Sequence, residues 1–293
     1  MKDLMRITIM IAVIVVVFIY RETITNFVAD LFLYRNKNNI LTYNEYYRDQ
    51  DFLYVQNTDN NVATNYQDVL NIFYTIINSG DDLYSFTCDY DGCISDVKVL
   101  IDEENIIAEI NNFVSPYNSF QTINVDIIGN KKVTVKTRKI YNEEMIELIE
   151  NYINEFIERN ITDQMSDYDK ILKFHDYVVN NTIYDANDVS KSYTAYSLIK
   201  YNKAICGGYS DIMALYLDKL GIRNYRITSD NHVWNLLYLD NKWLHLDATW
   251  DDPVASDGKQ YLIHNFFLID TNTLLNSDQE EHNYNNKIYL EAN

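Results

Sequence analysis

Residues 205–253 constrain the fold more than any other stretch of this chain, because they begin with the pattern of an amphipathic helix. From Tyr209 onward, apolar residues recur at steps of three and one, as on one face of an α-helix; they are Tyr209, Ile212, Met213, Tyr216, Leu217 and Leu220. Gly221 stands where a glycine commonly ends a helix. The sequence therefore predicts a helix that begins at or just after Cys206.

A β-hairpin is predicted downstream, where apolar runs at 233–239 and 242–246 flank the turn-prone pair Asp240-Asn241. With a two-residue turn, Leu239 faces Lys242 and the numbers of each facing pair sum to 481. His232 and Asp247 then become diagonal neighbours on one face, within reach of a side-chain hydrogen bond. A slip of one residue would place them on opposite faces.

Cys206, His232 and Asp247 together have the residue types of a nucleophilic triad. A helix start stabilises an anion, so that a thiol there favours the thiolate, and a nearby imidazole with an orienting carboxylate completes the arrangement. Gly207 has no side chain to block a substrate carbonyl from the helix N–H groups, which are candidate oxyanion donors. Two alternatives stay open: ordinary buried polar residues, and a zinc site for which His245 would be the nearest fourth ligand.

Residues from about Ser166 to Pro253 resemble the core of the transglutaminase-like superfamily of papain-related cysteine enzymes. The matching runs are residues 171–177, 203–209, 231–235 and 243–253. This resemblance implies Cys206 as nucleophile, His232 as base and Asp247 as the residue that orients it, without a cofactor or a metal. It also implies a second oxyanion donor from upstream. Tyr193 and Tyr196 are the candidates for that role, and Trp234 is a candidate substrate contact.

The predicted fold class is α+β. We expect a papain/transglutaminase-like core at 141–293, in which N-terminal helices and a nucleophile helix pack on an antiparallel sheet. A small α+β domain at 61–140, a connector at 23–60 and a transmembrane anchor or signal segment at 1–22 precede it. Within the small domain we predict a helix capped by residues 64–67, strands from Leu83 and Ile94, a helix over 102–114 and a hairpin over 123–135.

The N-terminus combines two basic residues, Lys2 and Arg6, with an apolar run from Ile7 to Tyr20. This pattern fits a signal-peptide core or a short membrane anchor, and the lack of a small-residue cleavage site favours an uncleaved anchor. The remainder would then lie outside the cytoplasmic membrane. Such a location allows Cys88 and Cys93 to form a disulfide across a short turn, although two reduced cysteines are an equal alternative.

The formal net charge of −19 argues against a nucleic-acid partner. The leading hypothesis is a membrane-anchored, extracytoplasmic thiol enzyme that cleaves or transfers acyl groups at peptide or amide bonds through an acyl-enzyme, with hydrolysis favoured. Its partners would be proteins or peptides, including cell-wall or surface peptides. The alternatives are an amine-accepting, cross-linking transglutaminase and a non-catalytic peptide- or wall-binding module on the same fold.

Overall fold

The computed structural model describes residues 20, 21, 23, 25, 41–102, 104–186, 192–253, 261–278 and 280–293. Apart from Tyr20, the apolar run that we predict to be a membrane anchor lies outside this part of the chain. Among the described residues, no helix has the length and apolar character that a membrane crossing requires.

The first half is built on a four-stranded sheet with strand order β1-β2-β4-β3. Only the β1–β2 pair is parallel. The elements are β1 (Val62–Ala63), α1 (Tyr66–Ser79), β2 (Leu83–Cys88), α2 (Cys93–Asp102), α3 (Glu104–Asn112), a 3-10 turn (Pro116–Asn118), β3 (Phe120–Ile128) and β4 (Lys132–Lys139).

The second half contains a four-stranded antiparallel sheet with order β10-β9-β8-β7 and a two-stranded parallel sheet, β5-β6. The elements are α4 (Glu143–Asn160), α5 (Asp167–Asn181), β5 (Ile183–Tyr184), α6 (Ala195–Tyr201), β6 (Lys203–Ala204), α7 (Cys206–Lys219), β7 (Asn224–Thr228), β8 (Val233–Leu239), β9 (Lys242–Leu246), β10 (Phe267–Ile269), α8 (Thr271–Ser277) and a 3-10 turn (Leu290–Ala292). The mixed α+β architecture is as predicted.

The register predicted for the β8–β9 hairpin is confirmed, since Leu239 pairs with Lys242 and Asn235 with Leu246. Both turn residues, Asp240 and Asn241, have positive φ, of 49° and 62°. Asp and Asn tolerate this left-handed conformation better than most residues, and its twist matches that of the flanking strands.

The strand predicted from Ile94 is wrong, because this segment forms helix α2. Its β-branched residues suggested a strand, but the buried positions are Cys93, Val97 and Leu100, which have helical spacing. The cap of α1 is also displaced by one residue from the predicted box. Asn65, and not Thr64, accepts the backbone N–H of Asp68.

Apolar side chains pack on both faces of the β7–β10 sheet. The side chains of β8 therefore belong to two different apolar cores. Trp234 and Leu236 join a core with α1 and the first sheet, whereas Leu237 joins a core with α4, α5 and α7. Phe52 and Val55, from the predicted connector, are buried in the first of these cores. The division at residue 140 stays a prediction, and apolar packing crosses it.

Candidate active site

Cys206 is the first residue of α7 and its side chain is partly exposed. Ile205 precedes it in extended conformation and provides no side-chain cap. The N–H groups at the very start of a helix lack a carbonyl one turn earlier, and in α7 the Gly208 N–H already donates to the Ile205 carbonyl at 2.9 Å. The candidate donors to an anion are therefore the N–H groups of Cys206 and Gly207. A sulfur anion at this position therefore lies beside the positive end of the helix dipole.

Two glycines after Cys206 allow the helix start to pack directly on backbone. A Cβ at Gly207 would lie 2.6 Å from the carbonyl oxygen of Tyr193. One at Gly208 would lie 2.9 Å from the Ala204 Cβ and 3.0 Å from the Thr194 oxygen. Residues 192–194 thus lie so close that a side chain at Gly207 or Gly208 would clash with them. This packing reason for the two glycines differs from the substrate access that we predict from the sequence.

His232 and Asp247 stand just outside the paired residues of β8 and β9, and the two side chains are directly bonded. His232 Nε2 lies 2.6 Å from Asp247 Oδ2, and both residues are buried. The other carboxylate oxygen accepts the backbone N–H groups of Thr249 at 2.9 Å and Trp250 at 3.2 Å. The carboxylate is therefore held in one orientation by the turn that follows β9.

The electrostatics favour a protonated imidazole beside a charged carboxylate. Burial opposes both charges, but the His232 charge and the hydrogen bonds of two histidines hold the pKa of Asp247 well below its usual range. Burial likewise lowers the pKa of His232. The Asp247 charge and the contact with Cys206 outweigh this effect and raise that pKa to about 10.

The second ring nitrogen of His232 is the one left for the thiol. Asp247 takes Nε2, and a side-chain hydrogen bond with Cys206 contributes to the raised His232 pKa. Tyr184 is also near, because burial and then the charges of Cys206, Glu281 and Asp247 raise the pKa of its phenol. The sequence reasoning did not single out Tyr184, which lies in the two-residue strand β5.

A second histidine, His282, contacts the same carboxylate. His282 Nε2 lies 3.0 Å from Asp247 Oδ2, and its Nδ1 lies 3.2 Å from Asp278 Oδ2. The ring is completely buried and stacks on Phe266 at an interplanar angle of 13°. His282 lies 35 residues from Asp247 in sequence, so that no local pattern could have revealed this contact.

Of the other predicted contacts, Tyr193 comes nearest to Cys206 through its backbone, beside Gly207. Tyr196 lies instead in a surface depression beside α4, with the Lys200 ammonium 5.3 Å from its ring centre. Trp234 is buried behind His232, with ring centres 5.6 Å apart, and its indole N–H donates to His245 Nδ1 at 3.0 Å. The structure does not bring Tyr196 to Cys206, and it gives Trp234 a packing role.

The two carboxylates that follow in the Asp251-Asp252-Pro253 motif fix the same turn. Asp252 accepts the phenol of Tyr209, which is one turn along α7 from Cys206. Burial raises the pKa of Asp252 to about 6, against the effect of this hydrogen bond. Asp251 accepts the Phe266 N–H at 2.9 Å.

Comparison with known families gives a match to part of this chain. The family model described as the Transglutaminase-like superfamily matches residues 154–248, which include Cys206, His232 and Asp247. This part of the chain is transglutaminase-like. The resemblance inferred from the sequence motifs is thereby confirmed. A search of curated proteins gives no match.

Solved structures show partial similarity to the chain. A transglutaminase structure is 19% identical with a TM-score of 0.33, and the match covers 48% of each chain. A Cytophaga hutchinsonii protein described as a candidate cysteine protease is 12% identical with a TM-score of 0.30, covering 48% of this chain and 65% of that one. A structure of menin is 15% identical with a TM-score of 0.30, covering 41% and 28%. This chain therefore spans about half to two thirds of the first two proteins.

Proposed function

We propose that this protein is a thiol enzyme that acts on peptide or amide bonds through Cys206, His232 and Asp247. The observation that carries the proposal is the buried, hydrogen-bonded pair of His232 and Asp247, in which the imidazole pKa is also raised by Cys206 at the start of a helix. A raised His232 pKa keeps the ring protonated, and a protonated ring stabilises a neighbouring thiolate. Such an anion is the species that attacks a carbonyl.

In the proposed reaction, the Cys206 sulfur adds to the carbonyl carbon and the resulting oxyanion faces N–H groups of the first turn of α7. The C–N bond then breaks, the amine leaves with a proton from His232, and a thioester remains on Cys206. Water attacks the thioester while His232 takes its proton, which releases the acid and restores the thiolate. Asp247 keeps the ring oriented throughout.

Hydrolysis is favoured over transfer to an amine because the Cys206 side chain is partly exposed. Water thus reaches the sulfur, and a transferase must exclude water from its thioester. The second candidate is an amine-accepting cross-linking enzyme, which uses the same thioester. A peptide- or wall-binding module without catalysis is the third.

For the cellular location, we propose an anchored protein whose catalytic part is outside the cytoplasmic membrane. Cys88 and Cys93 form a disulfide, which is typical of oxidising compartments. The apolar run from Ile7 to Tyr20 supplies the candidate anchor. Proteins or peptides of the surface and wall are the substrates that such an enzyme would meet.

A single assay separates the three candidates. The full chain and its Cys206→Ala variant are incubated with casein in H₂¹⁸O, with and without a dansylated primary amine, and the products are read by mass spectrometry. New peptide termini or glutamate in place of glutamine, each carrying ¹⁸O, support the hydrolase. Dansylated glutamine supports the transferase.

Both product types should vanish in Cys206→Ala. If the wild-type protein forms neither product from casein, nor from a peptide library of mixed sequence, the binding module becomes the better account. Products that persist in the variant would mean that Cys206 is not the nucleophile.

A further inference from the structure

A second histidine–carboxylate cluster lies outside the triad, at the junction of α5 with the segment before β10. His175 Nδ1 is 3.0 Å from Asp176 Oδ1, and His264 Nε2 is 2.7 Å from the same oxygen. The three donor atoms all lie within 4.8 Å of one another. We call His175, Asp176 and His264 the α5 cluster.

These separations are close to those of metal ligands. Zinc–nitrogen and zinc–oxygen bonds of about 2.0–2.2 Å place the donor atoms around one ion roughly 3–3.5 Å apart. The two short contacts of 2.7 and 3.0 Å are hydrogen bonds in the absence of an ion. Movement of a few tenths of an ångström in the partly exposed Asp176 and His264 side chains would open the cluster to an ion.

The surroundings of His175 give an independent reason for a cation. Its ring is completely buried between two carboxylates, with Nδ1 3.0 Å from Asp176 Oδ1 and Nε2 3.2 Å from Asp251 Oδ2. Among the described residues, neither His175 Nε2 nor Asp251 Oδ2 has a hydrogen-bond partner. A metal ion at Nδ1 fixes the tautomer that carries the ring N–H on Nε2, where it faces Asp251. Metal-bound histidines commonly have a carboxylate behind them in this way.

The α5 cluster is also accessible. The side chains of Asp176 and His264 are 34% and 44% exposed, so that an ion can enter and keep water ligands. Two imidazole nitrogens and one carboxylate oxygen form a donor set that suits zinc and similar borderline ions, whereas calcium and magnesium prefer oxygen alone.

We propose that the α5 cluster binds one zinc-class divalent cation through His175 Nδ1, Asp176 and His264 Nε2. The ion joins α5 to the segment that carries His264, which is itself bonded to Asp251 through the N–H groups of Ile263 and Phe266. Because Asp251 follows Asp247 by four residues and bonds its carbonyl, the ion steadies the turn that holds the triad carboxylate. This site does not depend on the proposed reaction.

The test measures zinc affinity and stoichiometry for the full chain by competition with a chromophoric chelator, after Cys206 has been carbamidomethylated. We expect one ion per chain. Asp176→Asn and His264→Gln should each weaken binding by at least tenfold, and Asp251→Asn should weaken it by about 10–100-fold through His175. Asp176→Asn and His264→Gln change partly exposed side chains, and Asp251→Asn is an isosteric change. Thermal unfolding without metal checks that all three variants fold.

His282→Gln is the matched control, because His232, Asp247 and His282 form a second group of potential ligands within 4.8 Å in the described part of the chain. The proposal requires that His282→Gln keep wild-type affinity. Loss of binding in His282→Gln but not in His264→Gln would assign the ion to the triad and overturn the proposal. Absence of stoichiometric binding to the wild-type protein would overturn it as well. Absence of binding to the wild-type protein would leave the proposed role of Cys206 untouched, so that the two proposals fail separately.

Discussion

Helix α7 takes part in two buried networks of charged side chains. Each network pairs a buried carboxylate with a basic side chain, but we expect the first to act on stability and the second on catalysis. In the middle of α7, Asp211 is bonded to Arg226 and Tyr141, and Arg226 also donates to Asn111 and Ser119. At its start, Cys206 and His232 meet Asp247. The first network connects five parts of the chain through groups that are buried except at the half-buried Asn111, whereas the second ends in a partly exposed thiol. The two networks thus differ in that only the second ends in a nucleophile that solvent reaches, and the proposed function depends on this difference.

The largest difference between the networks should appear in turnover. Cys206→Ala and His232→Ala should each lower kcat for casein products by roughly 10⁴-fold or more, because the two groups act as one unit. The urea-unfolding midpoint of Cys206→Ala should stay near that of the wild type. A variant that keeps a tenth of wild-type turnover would show that the two residues do not form the proposed unit.

The middle network should dominate stability instead. Arg226→Met leaves Asp211 as a buried carboxylate without its cation, which should lower the free energy of unfolding by about 3–5 kcal/mol. Urea denaturation followed by circular dichroism measures the change. Arg223→Met is the matched control on the same strand edge, since Arg223 is exposed and should cost less than about 1 kcal/mol. Equal losses in the two variants would contradict the distinction between the networks.

The start of α7 should also carry a pH-dependent part of stability. The pKa of His232 rises from 6.5 to about 10 on folding. Its contribution is therefore complete below about pH 6.5 and is lost as pH rises through about 10. Urea unfolding of the wild type and of His232→Gln should show a stability gap that narrows between pH 7 and 10 by on the order of 1 kcal/mol or more. A gap that stays constant over this range would contradict the raised pKa.

The smallest effect is expected at His282, which helps to position Asp247 without reaching Cys206. His282→Gln should lower kcat by about tenfold, with little change in KM. The pH profile of kcat should also shift, because an amide replaces the imidazole that is bonded to the Asp247 carboxylate. His264→Gln, assayed without added metal, is the comparison for a histidine whose ring does not contact Asp247. The positioning role fails if His282→Gln and His264→Gln have the same kcat and the same pH profile.

The sequence predicted those features that depend on short spacings. The helix start at Cys206 follows from the apolar periodicity. The hairpin register follows from Asp240-Asn241, and this register brings His232 to Asp247. The sequence could not predict His282, Asp278 or Tyr184, because separate elements bring these residues to the site. The error at Ile94 has another cause: β-branched residues suggested a strand, but burial of Cys93, Val97 and Leu100 stabilises a helix.

The central claim is that His232 activates Cys206 as a nucleophile, and the rate of alkylation by iodoacetamide measured against pH tests it most directly. We expect Cys206 to react much faster than free cysteine at pH 6–7, and we expect His232→Ala to remove most of this advantage. Without added metal, His264→Gln should leave the profile unchanged. If Cys206 reacts no faster than free cysteine at neutral pH and His232→Ala has no effect, the assignment of Cys206 as an activated nucleophile is contradicted.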